Sequence, residues 1–260
     1  MYIDSHAHLS GETLFPVAGE LIERALLAGV EKIVNIATDK ESLEKGLLLS
    51  KKYLSVYNTA ATTPHDVEKE GELFFPIVEE AAKKGLLVGI GETGLDYYYE
   101  YAPKEMQKTF LIRYFNLAKQ WNLPLVIHCR EAFSDLFAFA DEHYKNCPAV
   151  LHCFTGTLEE AKEVIKRGWY ISFSGIVTFK KSEALRATLK EMPLERIFIE
   201  TDAPYLAPQS KRGKVNEPSY ILETASVVAE VKGISLTDVA HQTFLNASAF
   251  FPFSKVNSLV

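Results

Sequence analysis

Near the start of the chain, Asp4-Ser5-His6-Ala7-His8 sets two imidazoles two residues apart. Side chains alternate along an extended segment, so His6 and His8 share a face and one strand can offer two nitrogens to one ion. Taken alone, such a pair is a weak signal that fits a solvated or core histidine pair better than a metal site. Further on, Glu92, His128, His152 and Asp202 each end an otherwise apolar run. Any one of these reads as a hydrogen-bonded polar residue at a strand end. Six together are harder to explain that way, because crowded imidazoles and carboxylates repel or lose hydration unless a cation binds them.

Elements that would bring the six together are legible in the hydrophobic pattern. Short β-rich runs bounded by turn residues predict strands at 2–6, 32–37, 54–60, 86–92, 125–129, 149–153, 169–174 and 196–201. Amphipathic stretches predict helices at 17–28, 40–53, 71–84, 104–121, 132–144, 158–166, 182–190 and 218–231. Strand and helix in regular alternation imply a parallel sheet closed on itself, a (β/α)8 TIM barrel of the α/β class. An open doubly wound sheet is the alternative, but His-x-His stands where its glycine-rich first turn would be. All strands of a closed barrel end at one face, and that face carries the chemistry. Ser235-Leu236-Thr237-Asp238 opens an extra C-terminal helical segment, with Phe244, Phe250 and Phe251 expected to pack back on the barrel wall. Residues 256–260 read as a fraying end.

Four histidines and two carboxylates exceed the three protein ligands of one catalytic zinc and suit two divalent ions. In this arrangement His6 and His8 complete one ion, His128 and His152 hold the other, and Glu92 bridges them with its two oxygens. Asp202 faces the water to be activated, where it can accept a proton and pass it to the leaving group. Mixed nitrogen and oxygen donors fit Zn²⁺ or Mn²⁺, with Mg²⁺ a third option.

Length and composition set outer bounds. At 260 residues, with 47% hydrophobic and 24% charged residues, the chain matches one globular barrel domain spanning 1–260. No apolar run approaches the length of a membrane span, and Asp4, His6 and His8 fall where a secretory signal would be apolar, so the N-terminus is expected to stay unprocessed. Cys129, Cys147 and Cys153 lack zinc-knuckle spacing; they read as buried thiols in a cytoplasmic protein. A formal net charge of -6 excludes general adhesion to polyanions, although bound cations let an acidic protein handle phosphate at one spot.

Five ordered segments carry a resemblance: Asp4-Ser5-His6-Ala7-His8, Gly91-Glu92-Thr93-Gly94-Leu95-Asp96-Tyr97, His128-Cys129-Arg130, His152-Cys153-Phe154-Thr155-Gly156 and Glu200-Thr201-Asp202-Ala203-Pro204-Tyr205-Leu206. Together they resemble the motifs of the TatD family of metal-dependent deoxyribonucleases, within the amidohydrolase superfamily. The resemblance implies a TIM barrel, divalent metal ions on His6, His8, Glu92, His128, His152 and Asp202, and phosphodiester hydrolysis by a metal-activated water. A 3′ to 5′ exonuclease acting on single-stranded DNA ends is the usual family assignment, and no obligate protein partner is implied. One turn departs from the pattern. Members commonly carry a Gly-x-His-Pro-like turn after strand three, whereas this chain reads Ala61-Thr62-Thr63-Pro64-His65-Asp66, which leaves His65 either a substrate contact or a turn histidine capping its own backbone.

On the substrate side, Arg130 shares the face of His128 and could fork onto a phosphate, a salt bridge to a loop being its alternative. Thr155 and Gly156 precede a helix whose free amides favour an anion. Arg212, in the run Lys211-Arg212-Gly213-Lys214, and Asn216 lie in a loop at the chemical face, where backbone contacts to nucleic acid are expected. The tyrosines at 97–99 and 101 could stack on bases or pack over the rim. Two other readings stand beside this one. The same site could hydrolyse an amide, ester or lactone of a small molecule, or the barrel could be a non-enzymatic scaffold.

Overall fold

The computed structural model describes residues 1–99 and 101–256. Its strands are β1 Tyr2–Ala7, β2 Val30–Ala37, β3 Val56–Ala60, β4 Gly89–Asp96, β5 Leu125–Arg130, β6 Ala149–Leu151, β7 Tyr170–Phe173 and β8 Ile197–Ile199. They form one eight-stranded sheet in sequence order, every neighbouring pair parallel. Between them run α1 Ala18–Leu27, α2 Lys40–Lys52, α3 Val67–Lys83, α4 Lys104–Trp121, α5 Phe133–His143, α6 Leu158–Lys166 and α7 Glu183–Glu191, and after β8 comes α8 Ile221–Lys232. This is a nearly closed (β/α)8 TIM barrel. Each helix buries one stripe against the sheet; in α4 it includes Phe110, Leu111, Tyr114, Leu117 and Ala118, at helical spacing. No helix among the described residues is long and apolar enough to cross a membrane.

Two element boundaries differ from expectation for packing reasons. Strand β4 starts later than expected and continues four residues past Glu92 to Asp96. The extension depends on Gly94, at φ 155, which lies beside His128 of β5 so closely that a Cβ would fall 1.8 Å from the His128 carbonyl oxygen. Helix α3 begins at Val67, before the expected Gly71, because that glycine leaves room within the helix for the Phe110 ring, 2.4 Å from where a Cβ would sit.

The extra C-terminal segment forms α9 Leu236–Phe250, opened by the Ser235–Asp238 capping box, and α10 Phe253–Val256. Its phenylalanines do more than rest on the wall. Phe250, Phe251 and Phe253 cluster with Ile3, Val34, Tyr57, Val126, Val150 and Phe198, residues of six strands that can meet only inside the barrel. They therefore seal the barrel interior, and the expected fraying end beyond Val256 lies outside the described residues.

Closure between β1 and β8 relies on few backbone bonds. One bridge pairs Ala7 with Ala203, with the His8 amide donating to the Ala203 carbonyl (2.7 Å) and the Asp202 amide to that of His6 (2.9 Å). Side chains supply the rest. The buried Asp4 carboxylate accepts from the Thr201 amide (3.0 Å) and hydroxyl (2.5 Å), and the Ser5 hydroxyl donates to the Ile199 carbonyl (3.1 Å). Asp4→Ala strands these buried donors and should lower stability by roughly 2–4 kcal/mol. Urea unfolding in a chelator, which removes any contribution from bound ions, measures this; a loss below about 1 kcal/mol would show that backbone bonds alone hold the seam.

Candidate metal centre

The six candidate ligands converge at the C-terminal mouth of the barrel. Glu92 sits among the imidazoles with its two oxygens divided between two pairs. Its Oε1 lies 3.0 Å from His128 Nδ1 and 2.9 Å from His152 Nε2, while Oε2 lies 3.4 Å from His6 Nε2 and 3.9 Å from His8 Nε2. Asp202 Oδ1 stands on the β1 side, 3.6 Å from His6 Nε2 and 3.5 Å from His8 Nε2. Local backbone shape aims these groups inward. Asp202 and Cys153 adopt left-handed conformations (φ 58 and 44), which turn the chain out of β8 and β6 at the mouth.

Two carboxylates outside the expected set stand behind the imidazoles, Asp96 within hydrogen-bond distance and Glu200 at ion-pair distance. Asp96 Oδ2 lies 2.8 Å from His128 Nε2, leaving Nδ1 toward Glu92. Glu200 Oε1 accepts the Cys153 amide (2.7 Å) and lies 3.3 Å from His152 Nδ1. Neither was singled out from the sequence, although both stand in the quoted segments. Asp96 carried a usable signal: it follows Glu92 by four residues, an even spacing that keeps it on the same strand face once β4 is seen to extend that far.

Burial and charge set the protonation of the cluster. Burial, and then the neighbouring His152, hold His6 down to about 4, so it stays a neutral lone-pair donor. Burial would lower His152 as well, but Glu92 and Glu200 raise it well above the usual histidine range. Conversely, burial favours protonated Glu92, yet His152, His128 and His6 hold it well below the carboxylate range. The cluster is thus a carboxylate sharing protons with surrounding imidazoles, and divalent cations can replace those protons on the same atoms. The donor chemistry fits: the groups His6–His8–Glu92, Glu92–His128–His152 and His6–His152–Asp202 each offer ligand atoms within 4.8 Å of one another.

The expected substrate residues part company. His65 does not cap its own turn; its Nε2 lies 2.9 Å from Asp96 Oδ2, and it lines the cleft. Arg130 also lines that cleft, of about 670 Å³, and its guanidinium stacks 3.8 Å above the Tyr98 ring with no acidic partner among the described residues. Thr155 lines the cleft. Behind Gly156, however, the α6 N-terminus is occupied by its own side chain: Glu160 Oε2 accepts from the Thr157 amide (2.6 Å) and hydroxyl (2.9 Å), so an anion there would meet a carboxylate. Arg212 packs over Phe179, 4.7 Å from its centroid, away from the cleft. Asn216 is a correction. It is fully buried, and its amide nitrogen donates to the Thr201 and Tyr205 carbonyls (2.7 Å each), so it clamps the Asp202 loop and cannot touch substrate. The cysteines are partly buried free thiols, and Cys129 and Cys153 reach the cleft wall instead of turning fully away from it.

Comparison with known proteins agrees with this architecture. A family model described as "TatD related DNase" matches residues 3–252. The chain is 36% identical over 252 residues to YabD of Bacillus subtilis (strain 168), an uncharacterized metal-dependent hydrolase, covering 96% of this chain and 99% of that protein. It is 32% identical over 238 residues to the 3′-5′ ssDNA/RNA exonuclease TatD of Cronobacter sakazakii, covering 89% and 90%. Among solved structures, YjjV, a TatD homologue from Escherichia coli K12, superposes with a TM-score of 0.91 at 26% identity, covering 96% and 97%.

If Asp96 orients His128 for an ion, Asp96→Asn should weaken divalent-metal affinity by about 10- to 100-fold while the far-ultraviolet circular dichroism stays that of the parent. Competition against a fluorescent chelator reads this; unaltered affinity would leave Asp96 a structural partner only.

Proposed function

The chain belongs to the TatD-related DNase family of metal-dependent hydrolases, and on that premise we propose that it cleaves phosphodiester bonds of nucleic acid, releasing nucleotides from single-stranded 3′ ends. Residues 1–260 would work as one hydrolase domain. The observation that carries this reading is the division of the Glu92 oxygens between two histidine pairs, which supports two ions sharing one carboxylate. His6 and His8 would hold one with Glu92, and His128 and His152 the other, with Zn²⁺, Mn²⁺ or Mg²⁺ as the occupants. Such ions supply Lewis acidity and lower the pKa of water.

The chain's own groups account for the remaining work. Asp202, beside His6 and His8, accepts the proton of the attacking water and returns it to the departing oxygen. Arg130, with no acidic partner among the described residues, donates to non-bridging phosphate oxygens. Asp96 holds His128 in register, limiting its reorganisation during the reaction, and Glu200 places negative charge beside His152. The buried walls around Glu92 keep these charges in a poorly screened environment, where they act more strongly. The exonuclease-named relative supports a nucleic-acid substrate, since it shares nearly the whole chain length.

Product mapping on end-labelled DNA and RNA, with metal content measured alongside, tests the proposal. We expect stepwise shortening of single strands from the 3′ end, abolished by chelation and reduced at least about 1,000-fold by Asp202→Asn with the fold retained. Turnover of lactones or cyclic amides without any diester cleavage would replace this reading with that of a small-molecule amidohydrolase. His6→Ala should reduce bound metal by more than it shifts the unfolding midpoint.

A further inference from the structure

Beside the cluster, the loop after β4 carries four tyrosines that the structure divides into two kinds. Tyr97 packs: its hydroxyl donates to Asp135 (2.7 Å), and Lys104 sits 4.5 Å over its ring. Tyr98, Tyr99 and Tyr101 remain 50%, 37% and 64% exposed, and no hydroxyl of the three has a hydrogen-bond partner among the described residues. Tyr97, by contrast, is partly buried with its hydroxyl satisfied. The Tyr99 and Tyr101 rings lie parallel, 4° apart in plane with centroids 5.2 Å apart.

Their position is tied to the candidate metal centre. His65 stands edge-on to both rings, at 5.7 Å from Tyr99 and 5.5 Å from Tyr101, and shares Asp96 Oδ2 with His128. The Arg130 guanidinium carbon sits over the Tyr98 ring, 3.8 Å from its centroid, and 4.8 Å from that of Tyr99, so the rings support the cation while no hydrogen bond among the described residues takes its N–H groups. A cation with no acidic partner among the described residues, next to an exposed ring pair, matches one occupant, a base with its adjoining phosphate.

The geometry points to a nucleobase platform: an unpaired base of single-stranded nucleic acid stacks on the Tyr99–Tyr101 pair while Arg130 takes the phosphate beside it. This rests on the phosphodiesterase reading of the cleft that Tyr99 and Arg130 line, with Tyr101 in the adjoining pocket beside Tyr99, and adds the requirement for an exposed base face. In a duplex both faces of a base are covered by neighbours, so the platform selects single strands by stacking instead of by sequence.

The test compares 3′-labelled single strands that carry either a normal or an abasic nucleotide at the two terminal positions. For Tyr101→Ala, kcat/KM on the base-bearing strand should fall about 5- to 100-fold, the fold-change expected for one lost base–aromatic stack, and by less than about 2-fold on the abasic strand. Tyr101→Phe should restore the parent value, because the ring stacks and the hydroxyl does not. Equal losses on the two substrates would overturn the platform, as would no loss on either. If the parent protein cleaves no strand at all, the phosphodiesterase reading fails by itself, and the platform is then judged by anisotropy with a dye-labelled single strand. Identical binding by the parent and Tyr101→Ala would dismiss it.

Discussion

A sheet that closes on itself must join its first strand to its last, and in this barrel that seam determines the site. Strands β1 and β8 share one backbone bridge, Ala7 with Ala203, so the Asp4 carboxylate on Thr201 takes the place of missing ladder bonds. His6 and His8 flank Ala7 on one side of the seam and Asp202 adjoins Ala203 on the other. Movement at the seam would change the distance between these groups directly. The buried polar stitch therefore contributes geometry as well as stability, and being hydrogen-bonded throughout it avoids the cost of an unsatisfied buried group.

Around the mouth, the arrangement concentrates opposing tendencies. Burial disfavours charge on His6, Glu92 and His152 alike, yet Glu92 stays ionised because His152, His128 and His6 favour its carboxylate, and His152 holds a proton because two carboxylates face it. Such a cluster is internally balanced with protons and equally able to exchange them for cations. Asp96 extends that balance outward. It connects His128 to His65, and His65 to the tyrosine pair, so contacts lead from the candidate ligands to the cleft surface without a break.

The loops contribute through clamps that are easily taken for contacts. Asn216 reads as a polar residue on the chemical face, but folded it secures the carbonyls on both sides of Asp202. Gly156 precedes a helix start that looks open to an anion, until Glu160 is seen to occupy it. The helix start is satisfied within its own first turn and Asn216 by carbonyls further back in the same loop, and in both cases nothing is left for a ligand to complete.

By itself the sequence determined the barrel, its strand order and the six candidate ligands, because strand and helix periodicities are local and each ligand candidate interrupts an apolar run where a strand ends. His6 and His8 were legible as a pair for the same reason. Only the tertiary structure decided that β4 runs on to Asp96, since that depends on Gly94 meeting β5 across a distance in sequence. It also decided that Glu200 backs His152, that the C-terminal phenylalanines close the barrel interior, and that Arg130 lies over Tyr98 with no acidic partner among the described residues. These are contacts between segments far apart in the chain or loop arrangements set by such contacts, and neither periodicity nor residue spacing encodes which side chain will arrive to satisfy another.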